Sequence, residues 1–215
     1  VNNYEIGYRG VSKQGMLAIL AFYTCRMDQQ VSLSSQQDAM DPNSFTYYIG
    51  NASEGYVYGL ELEFRREINQ RFQISGSLGL LESKTEAYSF EVAPDQYVML
   101  GDRAFAHAPN YSYRLGADYS LNPNISIRVS IAGKDEFYFS ESHNQRSQPY
   151  NLINSGITYS WSKAWEISFW ADNLLDTHYA SRGFYFGLEP PDYADKLYMS
   201  YGDPRHYGFT LKYIF

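Results

Sequence analysis

Long apolar runs are missing from this chain. A membrane-crossing helix needs about 18 consecutive apolar residues, and the longest apolar stretch is Met16 to Tyr23, so a helical membrane protein is excluded. Cysteine is nearly absent as well. The single Cys25 has no intramolecular partner for a disulfide, which rules out a disulfide-stapled scaffold and suits a buried or lipid-facing thiol. Positive charge is in deficit, with 17 Lys and Arg against 24 Asp and Glu, a net charge of -7 and a pI near 5.1. A nucleic-acid partner is therefore not expected. Charged residues make up only 19% of the chain while aromatics reach 18%, a balance opposite to that of disordered segments. No P-loop, nucleophile elbow or Ser-His-Asp order occurs, so no catalytic residue is assigned. His107, His143, His178 and His206 are scattered, and Asp135-Glu136 and Glu141-Ser142-His143 lack metal-ligand spacing, so neither metal nor cofactor is expected. No signal peptide opens the chain. Val1 already lies in a strand-like run, and an export signal is expected to precede it.

What the chain does have is a period of two. In Tyr56 to Arg65, every even position is large and apolar, while Gly59, Glu61, Glu63 and Arg65 occupy odd ones. Tyr111, Leu115, Ala117 and Tyr119 alternate with Ser112, Arg114, Gly116 and Asp118. Ile125, Ile127, Val129 and Ile131 alternate with Ser126, Arg128 and Ser130. Successive side chains of a strand point to opposite faces, so each run has one apolar and one polar face. Nine such segments are predicted, near 3–11, 14–27, 54–66, 70–84, 109–121, 124–138, 149–161, 164–174 and 203–215. The second is apolar on both faces, as expected of a strand whose inner face meets another packed element.

Connections alternate in length. Short ones fall at Ser12-Lys13-Gln14, Glu67-Ile68-Asn69, Asn122-Pro123 and Ser162-Lys163, all tight-turn chemistry. Long ones fall near 28–53, 85–108, 139–148 and 175–202. This describes an antiparallel up-and-down meander. Two architectures satisfy it. A soluble sandwich or barrel buries the apolar face as its core. A transmembrane barrel turns that face to lipid and encloses water with the other. Segment lengths of about 10–14 residues suit tilted membrane strands. Aromatics near strand ends (Tyr111, Tyr159, Trp161, Trp165, Tyr213) suit the lipid–water interface, and mid-strand charges (Glu61, Glu63, Arg114, Asp118, Arg128) suit a wet lumen, where Glu61 and Glu63 would form a hydrogen-bonded charge ladder with Arg65 and Arg114. Bacterial single-chain barrels have even strand numbers, so further strands are expected N-terminal to Val1.

Four stretches resemble the C-terminal part of TonB-dependent outer-membrane receptors. Asp172 to Tyr179 (DNLLDTHY) is similar to that family's NLFDxxY run, and Gly202-Asp203-Pro204-Arg205 with Tyr207 to Phe215 to its terminal strand. Tyr58 to Glu63 resembles its G-x-E-x-E strand, and Gly101-Asp102-Arg103 with Ala108-Pro109 the approach to a later strand. The resemblance implies an all-β fold: an antiparallel up-and-down transmembrane β-barrel, partial here. Residues 1–215 would hold about the last nine strands of a barrel of about 22, with the plug domain and N-terminal strands outside the chain. It implies no enzyme but an outer-membrane transport receptor for a scarce substrate, foremost a ferric siderophore or other iron chelate. The expected partners are outer-membrane lipid, the TonB complex reached through the missing N-terminal region, and the barrel assembly machinery. That machinery would read the C-terminal signal Tyr207, Phe209, Leu211, Tyr213 and Phe215.

Ligand contact is expected from one long loop. Arg182, Phe184, Tyr185, Phe186 and Tyr193 combine stacking surfaces with a cation for an anionic group; packing of the loop against its neighbours is the plainer use of the same residues. A soluble carbohydrate-binding sandwich and an outer-membrane enzyme are the competing functional classes, the latter weakened by the missing nucleophile.

Overall fold

A computed structural model describes residues 1–38, 40–41, 44–51, 53–187, 189–191 and 193–213. Alternation produces strands throughout, and no helix occurs among the described residues. In chain order these are β1 (Asn2–Ser12), β2 (Gly15–Arg26), β3 (Gln30–Gln36), β4 (Phe45–Asn51), β5 (Gly55–Asn69), β6 (Phe72–Thr85), β7 (Tyr88–Ala93) and β8 (Gln96–Leu100). There follow β9 (Tyr111–Asn122), β10 (Ile125–Lys134), β11 (Tyr150–Ser160), β12 (Trp165–Asp172), β13 (Ala180–Phe186), β14 (Lys196–Tyr201) and β15 (His206–Tyr213). Nine of them form one antiparallel sheet in the order β1-β2-β5-β6-β9-β10-β11-β12-β15. These correspond to the nine predicted segments. The sixth stops at Lys134 rather than 138, because Phe137 and Phe139 leave the sheet to pack in the loop layer.

All four short turns use one device. A Ser or Asn side chain accepts the backbone N–H two residues on, so the chain reverses without orphaning that donor. Ser12 Oγ takes Gln14 N at 3.2 Å, Asn69 Oδ1 takes Arg71 N at 2.8 Å, Asn122 Oδ1 takes Asn124 N at 2.9 Å, and Ser162 Oγ takes Ala164 N at 3.2 Å.

Register lines the apolar residues up across strands. Ile19 faces Leu62, which faces Leu78. Leu115 faces Ile131, which faces Ile153. Ile157 faces Phe169, which faces Phe209. Among the described residues no second sheet covers this face. Ile6 is 76% exposed and Phe209 75%. In water that exposure is costly, at about 25 cal/mol per Å² of apolar surface; against hydrocarbon it is not. The sandwich architecture, which needs these side chains as its core, is not the fold. At the short-turn end an aromatic string closes the face: Trp161 stacks on Trp165 with centroids 5.7 Å apart, and Trp165 lies 4.6 Å from Tyr213.

The polar face is concave. Arg9, Glu61, Glu63, Ser77, Ser112 and Arg114 border a cavity of about 720 Å³ together with Ala18 and Leu20 of the doubly apolar β2.

Buried side chains sit at the other end, where three hairpins rise from the long connections: β3–β4, β7–β8 and β13–β14. Phe137, Phe139 and Ala180 form the buried cluster there, with Tyr185 and Leu197 packed against it.

Candidate ligand-binding loops

Alternation again decides which side chains of the β13–β14 hairpin face outward. Arg182, Phe184 and Phe186 share one exposed face, where Phe184 stacks on Tyr198 with centroids 5.7 Å apart. Gly183, Tyr185 and Gly187 occupy the other. Gly183 lies flat on the Phe139 ring; a Cβ there would come within 2.5 Å of it, so only glycine allows this approach. The sequence expectation therefore divides. Three of its residues are presented together, while Tyr185 turns inward. Tyr193, half-buried, lies beyond the hairpin strand, its N–H donating to Glu189 O at 3.1 Å.

Tyr185 is held in a network that spans three loops. Its ring stacks on His143 at 3.5 Å between centroids and 7° between planes, and its hydroxyl donates to Gln145 Oε1. Burial pushes the phenol pKa above its ordinary value. His143 Nε2 lies 3.2 Å from Asp195 Oδ2. Arg103 crosses from the third loop, with its guanidinium 3.7 Å from the Tyr138 centroid and an N–H···Oδ1 bond of 3.2 Å to Asn144. Arg146 approaches the same ring at 4.0 Å and pairs with Glu136 at 2.6 Å. Desolvation lowers the pKa of Arg103, while Tyr138 and Glu136 raise that of Arg146.

This network was not legible in the sequence, because its members come from three separate segments. It also brings Ser140, His143 and Asp195 into line, with Ser140 Oγ 2.8 Å from His143 Nδ1. The arrangement is not a nucleophile: Ser140 Oγ already accepts the backbone N–H groups of Ser142 at 3.1 Å and His143 at 3.0 Å, which makes it a turn acceptor.

A profile of the family described as TonB dependent receptor-like, beta-barrel, matches residues 1–174. The chain belongs to that family. It is thus part of an outer-membrane β-barrel. Solved barrels of the same fold include the siderophore receptor PiuA from Acinetobacter baumannii (TM-score 0.72, 16% identity, 98% of this chain and 28% of that one). The ferric yersiniabactin uptake receptor FyuA from Yersinia pestis gives a TM-score of 0.76 at 18% identity, over 98% of this chain and 29% of that one. The copper transporter OprC gives 0.69 at 12% identity, over 98% of this chain and 31% of that one. The chain therefore spans less than a third of each.

The two motifs resembling TonB-dependent receptors after β12 meet in space, and their role here is architectural. Asn173 is only 3% exposed. Its amide donates to Thr177 O at 2.9 Å and Asp203 O at 3.1 Å, and its carbonyl accepts Thr177 N at 2.9 Å. Asp176 Oδ1 accepts Arg205 N at 2.8 Å. Tyr179 lies directly on Gly202, where a Cβ would sit 1.9 Å from its ring, and Gly202 N donates to Tyr179 O at 3.0 Å. These contacts pin both ends of the β13–β14 loop to the barrel rim and fix where the hairpin stands.

In this TonB-dependent receptor barrel, Tyr207, Phe209, Leu211 and Tyr213 share the exposed apolar face of β15; Phe215 lies outside the described residues. Glu61 and Glu63 share the lumenal cavity with Arg114 and Arg9, but no ion pair within 4.0 Å joins them to Arg65 or Arg114 among the described residues. On the same polar face Arg128 does pair with Asp118, at 2.6 Å.

Proposed function

We propose that residues 1–215 are the C-terminal portion of the barrel of an import receptor, whose plug domain and remaining strands belong to sequence outside this chain. The receptor binds a metal chelate at its extracellular loops, foremost a ferric siderophore, and takes it inward with energy from the TonB complex. It is a transporter rather than an enzyme. The observation that carries this is the hairpin face of Arg182, Phe184 and Phe186, propped on Phe139 through Gly183 and exposed at the loop end of the barrel. Aromatic rings offer stacking surfaces to a planar chelate, and the Arg182 guanidinium offers hydrogen bonds to its donor oxygens. Tyr185 acts by holding the hairpin through His143 and Gln145. Tyr193 lies where the loop returns toward β14. The unpaired outer edges of β1 and β15 suit pairing with the strands outside this chain, since lipid cannot satisfy exposed backbone groups.

Uptake of ferric chelates by cells that depend on the full-length receptor tests the reading. Arg182→Ala combined with Phe184→Ala is expected to weaken uptake about tenfold or more with normal surface levels. Unchanged uptake would reject the hairpin as ligand contact. The C-terminal strand serves the barrel assembly machinery through Tyr207, Phe209, Leu211, Tyr213 and Phe215. Deleting Phe215 from the full-length receptor is expected to lower its outer-membrane level, and normal insertion of the shortened protein would reject this role.

A further inference from the structure

The net charge of this chain is unevenly placed. The four long connections, 27–54, 86–110, 135–149 and 173–205, all leave the sheet at one end. Together they hold 16 Asp and Glu against five Lys and Arg, a formal charge of -11. The strands and short turns hold the remaining +4 of the chain's -7. Within this chain the acidic excess is thus a property of the long-connection end, not of the sheet.

The few cations of that face are mostly engaged. Arg146 pairs with Glu136 at 2.6 Å, Lys196 with Glu189 and Arg205 with Asp176 at 3.9 Å each. Arg103 is stacked on Tyr138 and bonded to Asn144. Among the five, only the Arg182 side chain makes no hydrogen bond or ion pair among the described residues. Aromatic faces are exposed in the same layer, on Phe184, Tyr97 and Tyr201. Rings in a negative field attract cations, through their quadrupole at contact and through the field at longer range.

We infer that this receptor selects its chelate by charge, capturing complexes that are cationic or uncharged and disfavouring anionic ones. The inference rests on the import reading above and narrows its substrate class. Arg182 meets donor oxygens of the bound complex locally, while the sixteen carboxylates set which complexes reach it.

The test uses the full-length receptor. Cells that depend on it for iron are supplied with a panel of ferric chelates grouped by net charge. Binding kinetics are then measured on outer-membrane vesicles with one ferric trihydroxamate in three forms: free terminal amine (cationic), N-acetylated (neutral) and N-succinylated (anionic). The metal-binding core is identical, so only charge differs. The cationic form is expected to associate about tenfold faster than the anionic one at low salt, with the neutral form between. Raising the salt is expected to shrink the gap severalfold as the Debye length falls toward about 3 Å. Asp28→Asn with Asp95→Asn, both exposed and distant in sequence from the hairpin, is expected to narrow the gap and leave the neutral form unchanged. Equal rates, or an anionic form that associates fastest, would overturn the charge inference and leave the import reading standing. Failure of every chelate in the panel to enter or bind would instead remove the import reading, and this inference with it.

Discussion

Gly183 shows how one residue positions a whole loop. Its missing side chain lets β13 lie against Phe139, and a Cβ would collide at 2.5 Å. Gly183→Val is therefore expected to cost about 1–3 kcal/mol of local packing. Hydrogen exchange in the full-length receptor would check it: faster exchange at 180–186, with the barrel strands unchanged. Asp102 makes a second residue-scale case. The Lys84 ammonium, 2.8 Å away, holds its carboxyl below the usual carboxylate range. Because the folded-state pKa is depressed, the link is intact above the ordinary Asp value of about 3.9 and is lost as the pH falls through the lower folded value. The protection of residues 86–102 against exchange, corrected for the intrinsic pH dependence of amide exchange, is thus expected to be flat between about pH 5 and pH 8 and to fall only in stronger acid. A fall in protection near neutrality would show that this contact does not hold the loop.

Elements differ in how openly their sequences declare them. Apart from the doubly apolar β2, the barrel strands are long and alternate cleanly, so their number and faces are readable, with ends shifted by a few residues. The three hairpins are not, and 28–53, 85–108 and 175–202 read as loops. Their strands run only five to seven residues, too short for a period to stand out. In Phe184-Tyr185-Phe186 both faces are aromatic, which erases alternation altogether. The facing of the long strands is itself testable. Leu115 is 47% exposed on the lipid side, whereas Ser77 borders the lumenal cavity. In the full-length receptor refolded into liposomes, Leu115→Lys is expected to cost about 2–4 kcal/mol if it lies near the midplane. Ser77→Lys, facing water, is expected to change stability by about 0.5 kcal/mol or less. Denaturant titration distinguishes them, and equal costs would contradict the assignment of faces.

The whole molecule is organised as a greasy wall beneath an acidic, aromatic loop layer. Its sheet keeps two long open edges among the described residues, β1 with eleven residues and β15 with eight. Open edges and an uncovered apolar face together favour self-association. Residues 1–215 expressed alone are accordingly expected to aggregate on refolding into detergent, while the full-length receptor gives a heat-modifiable barrel band on gels. A monodisperse isolated chain would show that the edges can be satisfied internally. Alternation by itself determined the strands, their order of connection and which residues share each face, because the pleat is a local property repeated every two residues. The chain's charge segregation was equally present in the sequence, once the loops were known to share one end. Only the tertiary structure decided that Tyr185 turns inward, that Asn173 and Gly202 pin the hairpin, and that Arg103, His143 and Asp195 meet. Those contacts join residues tens of positions apart, and no local period encodes a partner at that distance.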